Sequence, residues 1–193
     1  MNPPGHHPDA KDFVAVNAQG APYNRLRVLQ HLFYKLRVTD TYAWGKEVFS
    51  PFSGLVLKAE NTAPDRIYLN LVHDLVKGLV LARRLRNKDV GYFLGNYVVI
   101  ESEDGVLAVF AHLQQGSMTV SEGQSVRAGE LIGKVGNSGN TIQPHLHFQL
   151  MREYDLRRAT PVPFVFDSCE VTKNGAWEMI NSALPGNYEK FRV

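Results

Sequence analysis

Two histidines one residue apart, in "PHLHFQLM" (144–151), are where this chain first offers chemistry. On a strand, residues i and i+2 project from one face with α-carbons about 6.5–7 Å apart. His145 and His147 therefore project together, with Gln149 beyond them, while Leu146, Phe148 and Leu150 turn the other way, into the core. Two imidazoles so placed share one small site, either both on a metal ion or one on the metal and its neighbour beside it. Upstream, "VFAHL" puts His112 on a strand, on the face of Phe110 and Ala108. On a strand neighbouring the pair it becomes a third imidazole. Gln149 and Asn137 are polar neighbours able to orient the rings. His31 in "LQHLFYKL" and His73 read as structural.

The elements that must position these residues are short and β-rich. "NYVVIES", "VLAVFAHL", "LIGKV" and "HLHFQLM" are rich in Val, Ile, Leu and Phe and are separated by the turn sequences "EDG", "QQGS", "SEGQ" and "GNSGN". Such punctuation predicts a mainly β fold, a compact antiparallel sheet or sandwich. Earlier, "DFVAVNAQG" (12–20) reads as a strand ending in a glycine turn, and "KEVFSPFSGLVLKAEN" (46–61) as β runs around Pro51 and Gly54. Residues 65–86 differ: Ile67, Leu71, Leu75, Leu79 and Ala82 recur at helical spacing, with Asp65 as N-cap, which predicts a helical insertion. Near the C-terminus, "TPVPFVFDSCEV" reads as an edge strand limited by its prolines and followed by an irregular end. With neither repeat nor low-complexity linker, the expectation is one domain over 1–193.

Composition removes several classes. A formal net charge of +2 is too small to argue for nucleic acid, and the single cysteine, Cys169, excludes an intrachain disulfide and a cysteine-rich zinc site. No run approaches the roughly 18 consecutive apolar residues of a membrane span. The start "MNPPGHHPDAKD" lacks the pattern of a signal peptide. That predicts either a protein kept inside the cell or a chain whose leader has been removed.

"GKEVFSPFSGLV" (45–56), "GNYVVIES" (95–102), "AHL" (111–113), "VSEGQSVRAGELIGKVGNSGNT" (120–141) and "PHLHFQL" (144–150) together resemble the lysostaphin-type (LytM-like) zinc metallopeptidases, endopeptidases that cut peptidoglycan peptides. The resemblance implies an antiparallel β core with a groove. It also implies one zinc ion, held by the His and Asp of an H-x-x-x-D motif and by the second His of H-x-H. Carried over residue by residue, His147 becomes a zinc ligand, and His145 and His112 become the catalytic pair flanking the metal. The stretch before "GKEVFSP" has no histidine, so the first motif falls on "HHPDAKDFVAV". Asp12 is then the carboxylate ligand. Pro8 stands four residues before it, and the third ligand is His7, taken over His6, with Asp9 a further carboxylate. Insertions at about 15–44 and 62–94 follow, as in a long-insertion branch of the family. By the same resemblance the partner is peptidoglycan or a peptide from it, and the location is extracytoplasmic: periplasmic, cell-wall or secreted.

Two other functions fit parts of the chain. A catalytically inactive member of the same fold would bind cell-wall peptides or regulate a partner hydrolase. A biotinyl- or lipoyl-type carrier would share the glycine turns of "VSEGQSVRAGELIGKV", but it needs a lysine at a hairpin tip, where neither Lys77 nor Lys88 falls, and it leaves "AHL" and "HLH" unexplained.

Overall fold

The computed structural model describes residues 10–23, 35–70, 90–154 and 160–193. The chain divides into two compact units, Met1–Val162 and Pro163–Val193. The first contains strands β1 (Lys11–Phe13), β2 (Leu36–Arg37), β3 (Glu47–Phe49), β4 (Gly54–Glu60) and β5 (Tyr68–Leu69). A short helix α1 (Val90–Leu94) follows, then β6 (Asn96–Ser102), β7 (Leu107–Leu113), β8 (Ser125–Val126), β9 (Leu131–Lys134) and β10 (Leu146–Met151). Six of these form one antiparallel sheet in the order β1-β10-β7-β6-β4-β8. β2 pairs with β5, and β3 with β9. The mainly β, antiparallel architecture expected from the glycine-punctuated strands is the one observed.

β7, "LAVFAHL", is buried along its whole length, and this explains its near-continuous apolar sequence: both of its faces are covered. On one face Leu107, Val109 and Ala111 pack with Leu94, Val99 and Met151. On the other, the Phe110 ring lies 5.1 Å from that of Phe148, which in turn lies 6.5 Å from Phe13. Each large aliphatic side chain so buried contributes about 1.5–3 kcal/mol.

The register also revises the expected orientation of β10. His147 pairs with Ala111, Gln149 with Val109 and Met151 with Leu107. The row that carries His147 and Gln149 therefore shares its face with this apolar cluster and is itself buried, while Leu146 and Leu150 are only half-buried. The histidine row is not a solvent face.

The expected helix over 65–86 is not formed at its start. Tyr68–Leu69 pairs as a strand with Leu36–Arg37, and Asp65 forms a β-bridge with Ser138 rather than an N-cap. Its carboxylate instead accepts backbone N–H groups from Asn137 at 2.6 Å and Gln115 at 2.7 Å, tying two loops together. Burial nevertheless pushes this carboxyl up from its ordinary value, only partly offset by those two donors. Residues 71–86 lie outside the described residues. Leu36 and Val38 of the 15–44 stretch make a small satellite core with Leu69, with Tyr23 and Trp44 against it.

The second unit is a three-stranded antiparallel sheet in the order β12-β11-β13, formed by β11 (Phe166–Lys173), β12 (Ala176–Ala183) and β13 (Phe191–Arg192). β11 is thus a central strand, not the edge its neighbouring prolines suggested, because Pro161 and Pro163 precede it. The end of the chain is not irregular either. Asn174 and Gly175, with φ of 50° and 82°, make the tight turn that an Asn-Gly pair favours between strands. Cys169 is buried and free, as its small apolar character predicts.

One close approach organises the first unit. Gly95 and Gly139, both with positive φ, stand back to back. A Cβ on Gly95 would lie 2.4 Å from Ser138 C, and one on Gly139 would lie 2.5 Å from Gly95 N. Gly20 has a similar φ of +79° but open space around it. Gly20→Ala is therefore expected to cost about 1–2 kcal/mol, the left-handed backbone term alone. Gly139→Ala should cost about 1–3 kcal/mol more through overpacking against backbone. Urea midpoints of the two variants measure the difference, and equal losses would show that the contact is soft.

Candidate active site

Three imidazoles and one carboxylate meet at the β1, β10 and β7 strands. The β1–β10 register places Asp12 directly opposite His147, and cross-strand partners project from the same face. Asp12 Oδ1 consequently lies 2.9 Å from His147 Nδ1 and 3.6 Å from His145 Nε2. His145 precedes β10, in the buried turn after Pro144. The His112 ring is 4.7 Å from His145 and 5.9 Å from His147, centroid to centroid. All three rings are at least nine-tenths buried, whereas the Asp12 side chain is 44% exposed. The cluster is therefore open on its Asp12 side.

His112 does not reach this cluster by strand alternation. A regular β7 would place it on the face of Phe110, opposite to Ala111 and His147. Instead Asn96 pairs with Leu113 but Val98 with Phe110, so β7 carries one residue more than β6 across that interval. His112 itself has φ of 60°. This is a β-bulge, which re-aims a side chain at the cost of local strain. The sequence expectation of three neighbouring imidazoles agrees with the observed distances, but the face given for His112 does not. "AHL" holds no glycine to signal the bulge.

Each flanking ring is held from behind. His112 Nδ1 is 3.0 Å from Ser138 O. His145 Nδ1 is 2.8 Å from Gln143 O and 3.0 Å from Thr141 Oγ1. Burial and the neighbouring imidazoles of His145 and His147 push His112 well below the usual histidine range, so it is neutral near pH 7. The polar neighbours expected from sequence do other work: Asn137 Nδ2 donates to Arg66 O, and Gln149 Nε2 to Met151 Sδ. Ser138, Thr141 and Gln143 were missed because two of the contacts use backbone carbonyls, which leave no trace in residue type.

The loop bearing these groups is itself pinned. Ser138 Oγ donates to Leu113 O at 2.8 Å and accepts from Asn96 N at 2.9 Å. The Arg66 guanidinium donates to Thr141 O. His6, His7 and Asp9 lie outside the described residues, as do His31 and His73. Among the described residues, no group of three or more His, Cys, Asp and Glu side chains is placed to hold a metal ion. Asp12 Oδ1 and His147 Nδ1, 2.9 Å apart, are nonetheless donors of the N/O kind that zinc accepts.

Three imidazoles and a carboxylate gathered in this way form a candidate centre for acid–base or metal chemistry. The family comparison is more specific. Residues 35–160, about two thirds of the chain, match the model of peptidase family M23, and the chain belongs to that family. Over 59 residues it is 39% identical to the peptidoglycan DD-endopeptidase ShyA of Vibrio cholerae, a stretch covering 31% of this chain and 13% of that protein. Over 87 residues it is 34% identical to endolysin 2638A of Staphylococcus phage 2638A, covering 44% of this chain and 18% of the endolysin. The chain thus spans less than a fifth of the length of these curated relatives. Among solved structures, the catalytic domain of the antimicrobial peptidase lysostaphin from Staphylococcus simulans superposes with a TM-score of 0.42 at 21% identity, covering 63% of this chain and 76% of that one.

The bulge generates a testable asymmetry. Asparagine tolerates a left-handed backbone, whereas a β-branched residue does not. His112→Asn is expected to be more stable than His112→Val by about 1–2 kcal/mol, read from denaturation midpoints, despite the greater hydrophobicity of valine. Equal stability would mean that the backbone relaxes out of the bulge.

Proposed function

We propose that this chain is a zinc-dependent endopeptidase that hydrolyses peptide bonds in peptidoglycan stem peptides or cross-bridges. The observation that carries this reading is the pairing of Asp12 Oδ1 with His147 Nδ1 at 2.9 Å, flanked by two further imidazoles, in a chain of peptidase family M23. The names of the curated relatives, a peptidoglycan endopeptidase and a phage endolysin, support the substrate class. An extracytoplasmic location follows from such a substrate. No helix among the described residues is long and apolar enough to cross a membrane.

In this reading Asp12 and His147 would hold the metal, with His7 as third ligand. Bound zinc would supply Lewis-acid polarisation of the scissile carbonyl and make water a nucleophile near neutral pH. His145 lies 3.6 Å from Asp12, and the His112 ring 5.9 Å from that of His147. The His145 and His112 rings serve proton transfer from the attacking water and stabilisation of the developing oxyanion. The half-exposed Asp12 side leaves an approach for a polymer, and the burial of the three rings keeps bulk water away from the proton-transfer groups.

A second reading has its own observation. The family match begins at residue 35, after Asp12 and His7, so an incomplete ligand set would leave a domain that binds wall peptides or regulates a partner hydrolase. Zinc stoichiometry by chelator competition separates the two. One tightly bound zinc per chain is expected, with affinity at least about 100-fold weaker in Asp12→Ala. His145→Ala and His112→Ala are expected to retain zinc and to lower kcat on a peptidoglycan peptide by about 10²–10⁴-fold. No zinc bound at micromolar free metal would overturn the peptidase reading in favour of the second.

A further inference from the structure

His112 and His145 come from different elements, yet the Nδ1 of each is held by one loop, of which Ser138 and Thr141 are buried. His112 Nδ1 faces Ser138 O at 3.0 Å, and His145 Nδ1 faces Gln143 O at 2.8 Å. A backbone carbonyl has no proton to give, so in both contacts the hydrogen sits on Nδ1. The Thr141 hydroxyl is consistent with this. Its single proton goes to Gln143 O at 2.6 Å, leaving its lone pairs for Gln143 N at 3.3 Å and for His145 Nδ1–H at 3.0 Å. The opposite tautomer of either ring would set a bare nitrogen lone pair against a carbonyl oxygen in a buried place, where an unmade hydrogen bond is costly. His147 differs from both, since its Nδ1 faces Asp12 Oδ1.

We propose that the loop 138–143 is a tautomer lock: Ser138 O and the Thr141–Gln143 pair hold His112 and His145 as Nδ1–H imidazoles, and Thr141 is a positioning residue for His145. The kinetic consequence rests on the peptidase reading; the lock itself does not. With Nδ1 occupied, each neutral ring carries its lone pair on Nε2, which in His145 is the nitrogen 3.6 Å from Asp12 Oδ1. As the attacking water forms its bond to the peptide carbonyl carbon, one of its O–H bonds breaks and the proton joins Nε2. The imidazolium so formed keeps its Nδ1–H on the same carbonyl. When the C–N bond breaks, the Nε2 proton passes to the departing amine and the ring returns to its starting tautomer. Two rings locked alike both start as proton acceptors, and either becomes a donor to the developing oxyanion only once its Nε2 has taken a proton.

The test is imidazole ¹⁵N NMR on the full chain, as purified and again after chelation, for the parent protein, Thr141→Val and Thr141→Ser. Both His112 and His145 are expected to show protonated Nδ1 and bare Nε2 in the parent. Thr141→Val should turn His145 into a mixture of tautomers. It should also lower kcat on a peptidoglycan peptide roughly tenfold, with KM and zinc content unchanged, and Thr141→Ser should restore both readouts. Overturning results are a parent His145 protonated at Nε2, a Thr141→Val variant that matches the parent in spectrum and kcat, or a Thr141→Ser variant as impaired as the valine. Failure of the peptidase reading would show separately, as a parent protein without turnover. The spectra need no substrate and would still decide the lock.

Discussion

The back-to-back contact of Gly95 and Gly139 is the constraint on which the rest of the first unit depends. Only two residues without Cβ atoms allow the loop after β9 to lie against the start of β6, with backbone atoms where side chains would otherwise be. Once there, Ser138 bonds Asn96 and Leu113 through its hydroxyl and His112 through its carbonyl. Asn96 extends the same network, with its side-chain amide donating to Leu113 O and Ala63 O. Asn96, His112, Leu113 and Ser138 are all buried, and a buried network is worth having only when its members are satisfied. The loop, the β6 start and the end of β7 therefore form one cooperative piece, and the histidines are attached to it.

Two departures from regular β geometry then bring the imidazoles together. The bulge in β7 turns His112 away from the side of Phe110. The turn 141–144 holds His145 just before β10, where its ring is not obliged to follow strand alternation. Asp12 and His147, by contrast, meet through ordinary antiparallel register. The site thus combines one pair set by sheet geometry with two rings set by irregular backbone. Irregular backbone of this kind is stable here because the surrounding hydrogen bonds over-determine it.

Much of this was legible in the sequence, for identifiable reasons. β6, β7, β9 and β10 announce themselves through β-branched and aromatic runs between glycine turns, and the His145–His147 spacing follows from the pleat. Periodicity misled at 65–70: Ile67 and its partners carry a helical spacing, but Asp65 and Tyr68–Leu69 are held in tertiary contacts that outweigh local preference. The central role of β11 was obscured by its prolines, although the Asn174–Gly175 pair was a hairpin signal in plain view. The tautomer-setting carbonyls of Ser138 and Gln143 were beyond reach, because every residue has a carbonyl and only the fold says where it points.

β1 is three residues long and, among the described residues, lies at an edge of the six-stranded sheet, paired only with β10. A short edge strand frays at a small fraction of the free energy needed to unfold the whole sheet. Asp12 rides on that strand, while the three imidazoles belong to the interior. The carboxylate can therefore leave the cluster, and return, with the core intact. Fraying of β1 alone would part the carboxylate from the imidazoles while the other strands of the sheet stay paired.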